Sequence, residues 1–146
     1  MKRIASFEVD HNKLKRGIYI SRVDDNIKTL DLRFREPNTP PFLSNAAIHS
    51  IEHLFATIAR NSKNSKNIVY FGSMGCRTGF YFLVKDLSDE ESLNLTKEII
   101  LKISEYKGEL PGSTAKECGN YKEHDMNLAI KEAEECYKII NDWKNL

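Results

Sequence analysis

Gly17-Ile18-Tyr19-Ile20-Ser21-Arg22-Val23, then Asp24-Asp25-Asn26, then Leu30-Asp31-Leu32-Arg33-Phe34: this stretch decides the fold class of the 146-residue chain. Both runs read as strands, the second because Leu30, Leu32 and Phe34 alternate with Asp31 and Arg33, the period of a half-buried strand. Asp24-Asp25-Asn26 between them reads as a turn, since Asp and Asn side chains bond their own backbone and tolerate tight bends. Pro37, Pro40 and Pro41 follow as a stiff connection into a helix, which ends in the polar loop Asn61 to Asn67. Ile68 to Phe71 and Gly79 to Val84 form a second pair of strands, joined by Gly72-Ser73-Met74-Gly75-Cys76-Arg77-Thr78. Ser88 with Glu91 makes a capping box for a helix to about Tyr106 with the apolar face Leu95, Ile99 and Ile103. After Gly108, Pro111 and Gly112 comes an irregular polar stretch holding Cys118, then a last helix from about Asp125 with Ala129, Ala133, Cys136 or Tyr137, and Ile140 on one stripe. The order β-β-α-β-β-α-α contains no repeated βαβ unit. It predicts an α+β fold, a two-layer sandwich of antiparallel sheet with helices packed on one face.

A chain of this length with 40% hydrophobic residues is the size of one domain, residues 1–146, and can bury a real core. Its 22 basic and 21 acidic side chains nearly cancel, and the one dense basic cluster, Lys13-Leu14-Lys15-Arg16, reads as a solvated loop, so nucleic acid is not an expected partner. Charges enter the N-terminus too early for a signal-peptide core and no apolar run approaches membrane-spanning length, which predicts a cytoplasmic protein without membrane contact. Three widely spaced cysteines, Cys76, Cys118 and Cys136, read in a reducing compartment as ligands, nucleophiles or core residues rather than disulfides.

The chemistry concentrates in His49-Ser50-Ile51-Glu52-His53. Ile48, Ile51, Leu54 or Phe55, and Ile58 recur at spacings of three and four, with Ser44 and Asn45 available as N-caps, so the segment reads as an amphipathic helix. Residues four apart on a helix are neighbours, and both imidazoles can reach one ion with the Glu52 carboxylate beside it. Two histidines are half a site. Cys118, in the polar run Lys116-Glu117-Cys118-Gly119-Asn120, is the best third ligand, because an inert core thiol would be out of place there. His49, His53 and Cys118 would leave a fourth position open to water or substrate, the mark of a catalytic site. Cys76 sits in a glycine-bracketed turn where a ligand can approach closely, beside the Arg77 guanidinium, whose charge favours a thiolate. Cys136, on an apolar helical stripe, reads as core. His124 could compete as a ligand but, next to Asp125 at a helix start, reads rather as part of that helix's cap, and His11 reads as a loop histidine.

Five blocks in order closely resemble the S-ribosylhomocysteine lyase family, LuxS. Ser6-Phe7-Glu8-Val9-Asp10-His11 is similar to its S-F-x-x-D-H block, Asp31-Leu32-Arg33-Phe34 to its D-x-R-F strand, and His49-Ser50-Ile51-Glu52-His53 to its H-T-[LIM]-E-H helix. Met74-Gly75-Cys76-Arg77-Thr78-Gly79 resembles its M-G-C-x-T-G turn, and Cys118-Gly119 its C-G block. Ser50 stands where Thr is usual and Ser73 where Pro commonly precedes Met-Gly-Cys, a departure that bears on how the turn aims Cys76. The resemblance implies cleavage of S-ribosyl-L-homocysteine to L-homocysteine and 4,5-dihydroxy-2,3-pentanedione, the precursor of the quorum-sensing signal autoinducer-2. It implies His49, His53 and Cys118 as ligands of Fe²⁺, for which Zn²⁺ or Co²⁺ can substitute, Cys76 as first and Glu52 as second acid/base, and Ser6, His11, Arg33 and Arg60 as substrate-binding. It also implies a homodimer with active sites at the interface. Two other readings compete: a small zinc hydrolase or peptidase, since the helix also spells H-x-x-E-H, and a non-enzymatic domain stapled by metal, which would need a fourth protein ligand such as His124.

Overall fold

The computed structural model describes residues 1–146. The first hairpin pairs β1 (Gly17–Asp24) with β2 (Ile27–Arg33), and the second pairs β3 (Ile68–Ser73) with β4 (Gly79–Lys85). The hairpins join through β2 and β4 into one antiparallel sheet of order β1-β2-β4-β3. β2 begins three residues earlier than the alternation of Leu30, Leu32 and Phe34 suggested. The reason is the tight turn: Asp25 takes a left-handed conformation at φ 52°, so Ile27 already pairs with Asp24. Phe34, predicted as strand, has left the ladder, yet its side chain stays fully buried and its N–H donates to the Thr78 carbonyl at 2.9 Å.

Period-two alternation sorts the sheet into two faces. Ile18, Leu30, Leu32, Phe80, Phe82 and Val84 point inward and are completely buried. Helices α2 (Asn45–Arg60), α3 (Asp89–Ser104) and α4 (Met126–Ile140) cover that face. α2 starts where expected, with the Ser44 hydroxyl accepting the Ala47 N–H, and α3 opens with the predicted Ser88–Glu91 capping box. Phe55 of α2 stacks flat on Phe71 of β3, ring centres 3.6 Å apart, and meets Phe82 edge-on at 4.8 Å. Cys136 is buried on α4, and burial pushes its thiol up to about 12, in keeping with the core role predicted. None of the helices is long and apolar enough to cross a membrane. A short N-terminal helix, α1 (Ala5–Glu8), carries no predicted counterpart because it buries no residue and so leaves no apolar period.

The other face of the sheet is left free by α2, α3 and α4, and only the short α1 lies against part of it. Cross-strand partners Tyr19, Asp31 and Tyr81 form a row across it, and the next row is Gly17, Arg33 and Gly79. Gly79 is required by contact: a Cβ there would stand 2.5 Å from the Leu32 carbonyl oxygen. Gly79→Ala should therefore lower stability by about 1–3 kcal/mol, the usual cost of overpacking. Urea unfolding checks this, and an unchanged midpoint would mean that the strands separate freely.

Candidate metal centre

His49 and His53 stand one helical turn apart on α2, adjacent to the apolar stripe that anchors the helix. Each ring is held by a backbone carbonyl from the segment between α3 and α4. His49 Nδ1 lies 2.8 Å from the Glu123 oxygen and His53 Nδ1 2.9 Å from the Pro111 oxygen. A carbonyl only accepts, so both Nδ1 atoms carry the proton and both Nε2 atoms present bare lone pairs. Those lone pairs converge on Cys118, whose Sγ is 3.4 Å from His49 Nε2 and 3.9 Å from His53 Nε2. With metal bonds of about 2.0–2.1 Å to nitrogen and 2.3 Å to sulfur, a tetrahedral edge between the two donors is roughly 3.6 Å. The three donors thus fit a single ion.

His124 joins the same group, and all four donor atoms lie within 4.8 Å of one another. The expected capping role falls instead to Asp125, whose carboxylate accepts the Leu128 N–H at 2.9 Å. The His124 ring stacks on His49 at 3.8 Å between centres, and its Nδ1 is 3.1 Å from the hydroxyl of buried Ser50. Burial first, then the neighbouring His49 and His53, push His124 down to about 4, so it is neutral at physiological pH.

Glu52, half-buried on the same helix, accepts the Ser73 N–H at 2.9 Å and so ties α2 to the hairpin carrying Cys76. It also lines, with His53, Tyr70 and Gly112, a cavity of about 380 Å³. Cys76 is exposed at the tip of that hairpin. The guanidinium reaching towards it is that of Arg33, at 4.0 Å, whereas Arg77, expected beside it, donates to the Leu43 carbonyl. Buried Asp31 grips Arg33 with both oxygens, at 2.6 and 3.0 Å, and Arg33 donates to Thr78 Oγ1 at 2.8 Å. Because Arg33 can only donate, Thr78 accepts there and its own proton is free for Cys76 Sγ, 3.0 Å away.

The remaining predicted residues lie apart from the histidines. Ser6 borders a cavity on the uncovered sheet face with Thr29 and Tyr81, His11 bonds its own segment at the Val9 oxygen, and neither belongs to the donor cluster. Arg60 donates to the carbonyls of Ile68 and Val69 at the start of β3. Reading from sequence missed the two carbonyls and Gly112, because backbone atoms leave no residue-type signal. Gly112 adopts φ 68°, and a Cβ there would press to 3.2 Å from His53 Nδ1.

The family model for S-ribosylhomocysteinase (LuxS) matches residues 4–145. This chain belongs to that family. It is 44% identical to the S-ribosylhomocysteine lyase of Borreliella burgdorferi over 99% of this chain and 96% of that protein. The corresponding enzyme of Finegoldia magna is also 44% identical, over 99% and 95%, and that of Phocaeicola vulgatus 47%, over 88% and 84%. The chain is accordingly a lyase, and the peptidase alternative is not favoured.

Gly112→Ala tests the support of His53 directly. The left-handed backbone costs a side chain about 1–2 kcal/mol, and the methyl crowds the ring, so metal affinity should fall while the helical circular dichroism is kept. Unaltered affinity in a chelator competition would show that His53 does not depend on this loop.

Proposed function

We propose that this chain cleaves S-ribosyl-L-homocysteine to L-homocysteine and 4,5-dihydroxy-2,3-pentanedione as a cytoplasmic homodimer with one divalent metal, Fe²⁺, in each subunit. The observation that carries the reading is the convergence of His49 Nε2, His53 Nε2 and Cys118 Sγ beside Glu52 in a chain of this family. Zn²⁺ and Co²⁺ suit the same imidazole and thiolate donors, so they are expected to substitute. Residues 1–146 act as a single catalytic domain.

The substrate's thioether leaves as a thiolate only when a carbonyl stands two carbons away, which makes the carbon between them acidic. The sugar's aldehyde must therefore migrate inward by successive proton transfers before elimination. A divalent metal held by His49, His53 and Cys118 supplies Lewis acidity that polarises the carbonyl. Cys76, at the exposed hairpin tip, takes the first carbon-bound proton and returns it to the neighbouring carbon. Arg33 and Thr78 hold that thiol in place. Glu52 then removes the proton whose loss expels homocysteine, with the Ser73 N–H fixing the carboxylate.

Ser6, His11 and Arg33 are assigned to the ribose and Arg60 to the homocysteine carboxylate. A second subunit is the simplest way to bring the uncovered sheet face of one chain to the histidines of another. Ile4, Phe7 and Val9, which are 54%, 64% and 43% exposed, support such a contact, since clustered exposed apolar side chains mark interaction surfaces.

Two variants separate binding from chemistry. Cys118→Ala should lose metal and activity together, whereas Cys76→Ala should keep one metal per chain yet lose C2 proton exchange and homocysteine release by about 10²–10⁴-fold. Turnover by Cys76→Ala at the native rate would remove Cys76 from the mechanism. The composite site has its own test: mixing Cys118→Ala with Arg33→Ala subunits should regain part of the activity neither has alone. Sedimentation as a monomer at assay concentration would end the dimer proposal.

A further inference from the structure

Distance does not distinguish His124 from the two histidines assigned as ligands, because its Nε2 lies 3.8 Å from Cys118 Sγ, between their 3.4 and 3.9 Å. Two observations taken together do distinguish it. The first is the proton on Ser50. This side chain is fully buried, and its oxygen accepts the Asp125 N–H at 2.9 Å. The hydroxyl's own proton has one acceptor in reach, His124 Nδ1 at 3.1 Å. A buried hydroxyl donor left unmade is costly, so Ser50 donates to Nδ1; a ring nitrogen that accepts carries no proton, which leaves the ring's N–H on Nε2. His49 and His53, which donate from Nδ1 to carbonyls, are the opposite tautomer.

The second observation is ring orientation. An imidazole lone pair lies in the ring plane, so a ligand's ring must contain the ion in its plane. The rings of His49 and His124 are stacked 3.8 Å apart at only 20° to each other, and two such planes do not meet at a point one bond length from both nitrogens. The stacking therefore excludes His49 and His124 as joint ligands, and because His53 is steeply inclined to both, at 89° and 72°, the tautomer decides which of the two is the ligand.

We infer that His124 is a positioning residue: oriented by Ser50, it donates its Nε2–H to the Cys118 thiolate and is not a fourth ligand of the metal. The inference rests on the ligand assignment proposed above. The hydrogen bond fixes Cys118, which sits in a segment without helix or strand, and draws charge from its sulfur. A metal held by His49, His53 and Cys118 would thereby be a stronger Lewis acid, and His124 would not compete with substrate for it. Ser50 achieves this from inside the helix that bears both ligand histidines, whose own rings are held by the Glu123 and Pro111 carbonyls.

The test uses the cobalt-substituted protein, in which the thiolate-to-metal charge-transfer band reports on the sulfur directly. His124→Phe keeps a ring against His49 but has no N–H, and Ser50→Ala leaves the ring but releases its tautomer. Both variants should still bind one cobalt per chain with the visible envelope of a tetrahedral site. In both, the charge-transfer band should move to lower energy and cobalt affinity should fall about 10–100-fold, as is usual when a ligand's hydrogen-bond partner is lost. Ser50→Thr, which restores the hydroxyl, should restore band and affinity. A band unmoved in both variants would overturn the inference, as would X-ray absorption of the substrate-free zinc protein that counts three imidazoles. Failure of the ligand assignment looks different: the native protein would then show no thiolate band, or Cys118→Ala would keep it.

Discussion

Helix α2 has to satisfy two neighbours at once, and the rest of the site follows from that constraint. Its stripe of Ile48, Ile51, Leu54 and Phe55 is pressed into the sheet, with Phe55 flat against Phe71. Burying such side chains stabilises by about 1.5–3 kcal/mol each, whereas each hydrogen bond to a histidine contributes about 0.5–1.5 kcal/mol. Packing therefore sets the rotation of the helix. The segment bearing Pro111, Cys118, Glu123 and His124 conforms to the histidines where the helix presents them, through carbonyls rather than through a core of its own.

This asymmetry explains which features could be read from sequence. The antiparallel α+β architecture was legible because alternation at Leu30, Leu32 and Phe34, the Ser44 cap and the Ser88–Glu91 box all encode local physics in residue type. His49, His53 and Cys118 were legible for the same reason: four-residue spacing and a thiol in a polar run are written in the residues themselves. His124 was misread as a cap because its place depends on the Ser50 hydroxyl 74 residues earlier in the chain. The guanidinium expected beside Cys76 from sequence is that of Arg77, whereas the one that reaches it is that of Arg33, 43 residues away across a strand and so harder to see.

Both cysteines assigned chemical roles are governed from one residue further out. Near Cys76, Asp31 fixes Arg33, Arg33 commits Thr78 to accepting, and the Thr78 proton is left for the sulfur. Near Cys118, the Asp125 N–H occupies one side of Ser50 Oγ, and the Ser50 proton passes to His124. In each case a buried hydroxyl with a single remaining acceptor turns an ambiguous contact into a directed one. The Asp31 carboxylate and the Ser50 hydroxyl are thus as informative about the site as the thiols, although neither touches one.

Ser73 links the two halves within one chain. Proline has no N–H, so the bond that Ser73 makes to Glu52 at 2.9 Å exists because this position is not proline. What is lost in backbone stiffness before Met74-Gly75-Cys76 is offset by a charge-assisted tether, a class of bond roughly twice as strong as a neutral one. Met74 contributes from the other side, its side chain buried and its N–H donated to the Gly79 carbonyl at 2.9 Å. The turn is therefore held at its base by packing and by the carboxylate of the neighbouring helix. Any displacement of α2 that carried His49 and His53 would pull on the same hairpin that carries Cys76, so the positions of the imidazoles and of the thiol are mechanically coupled through Glu52.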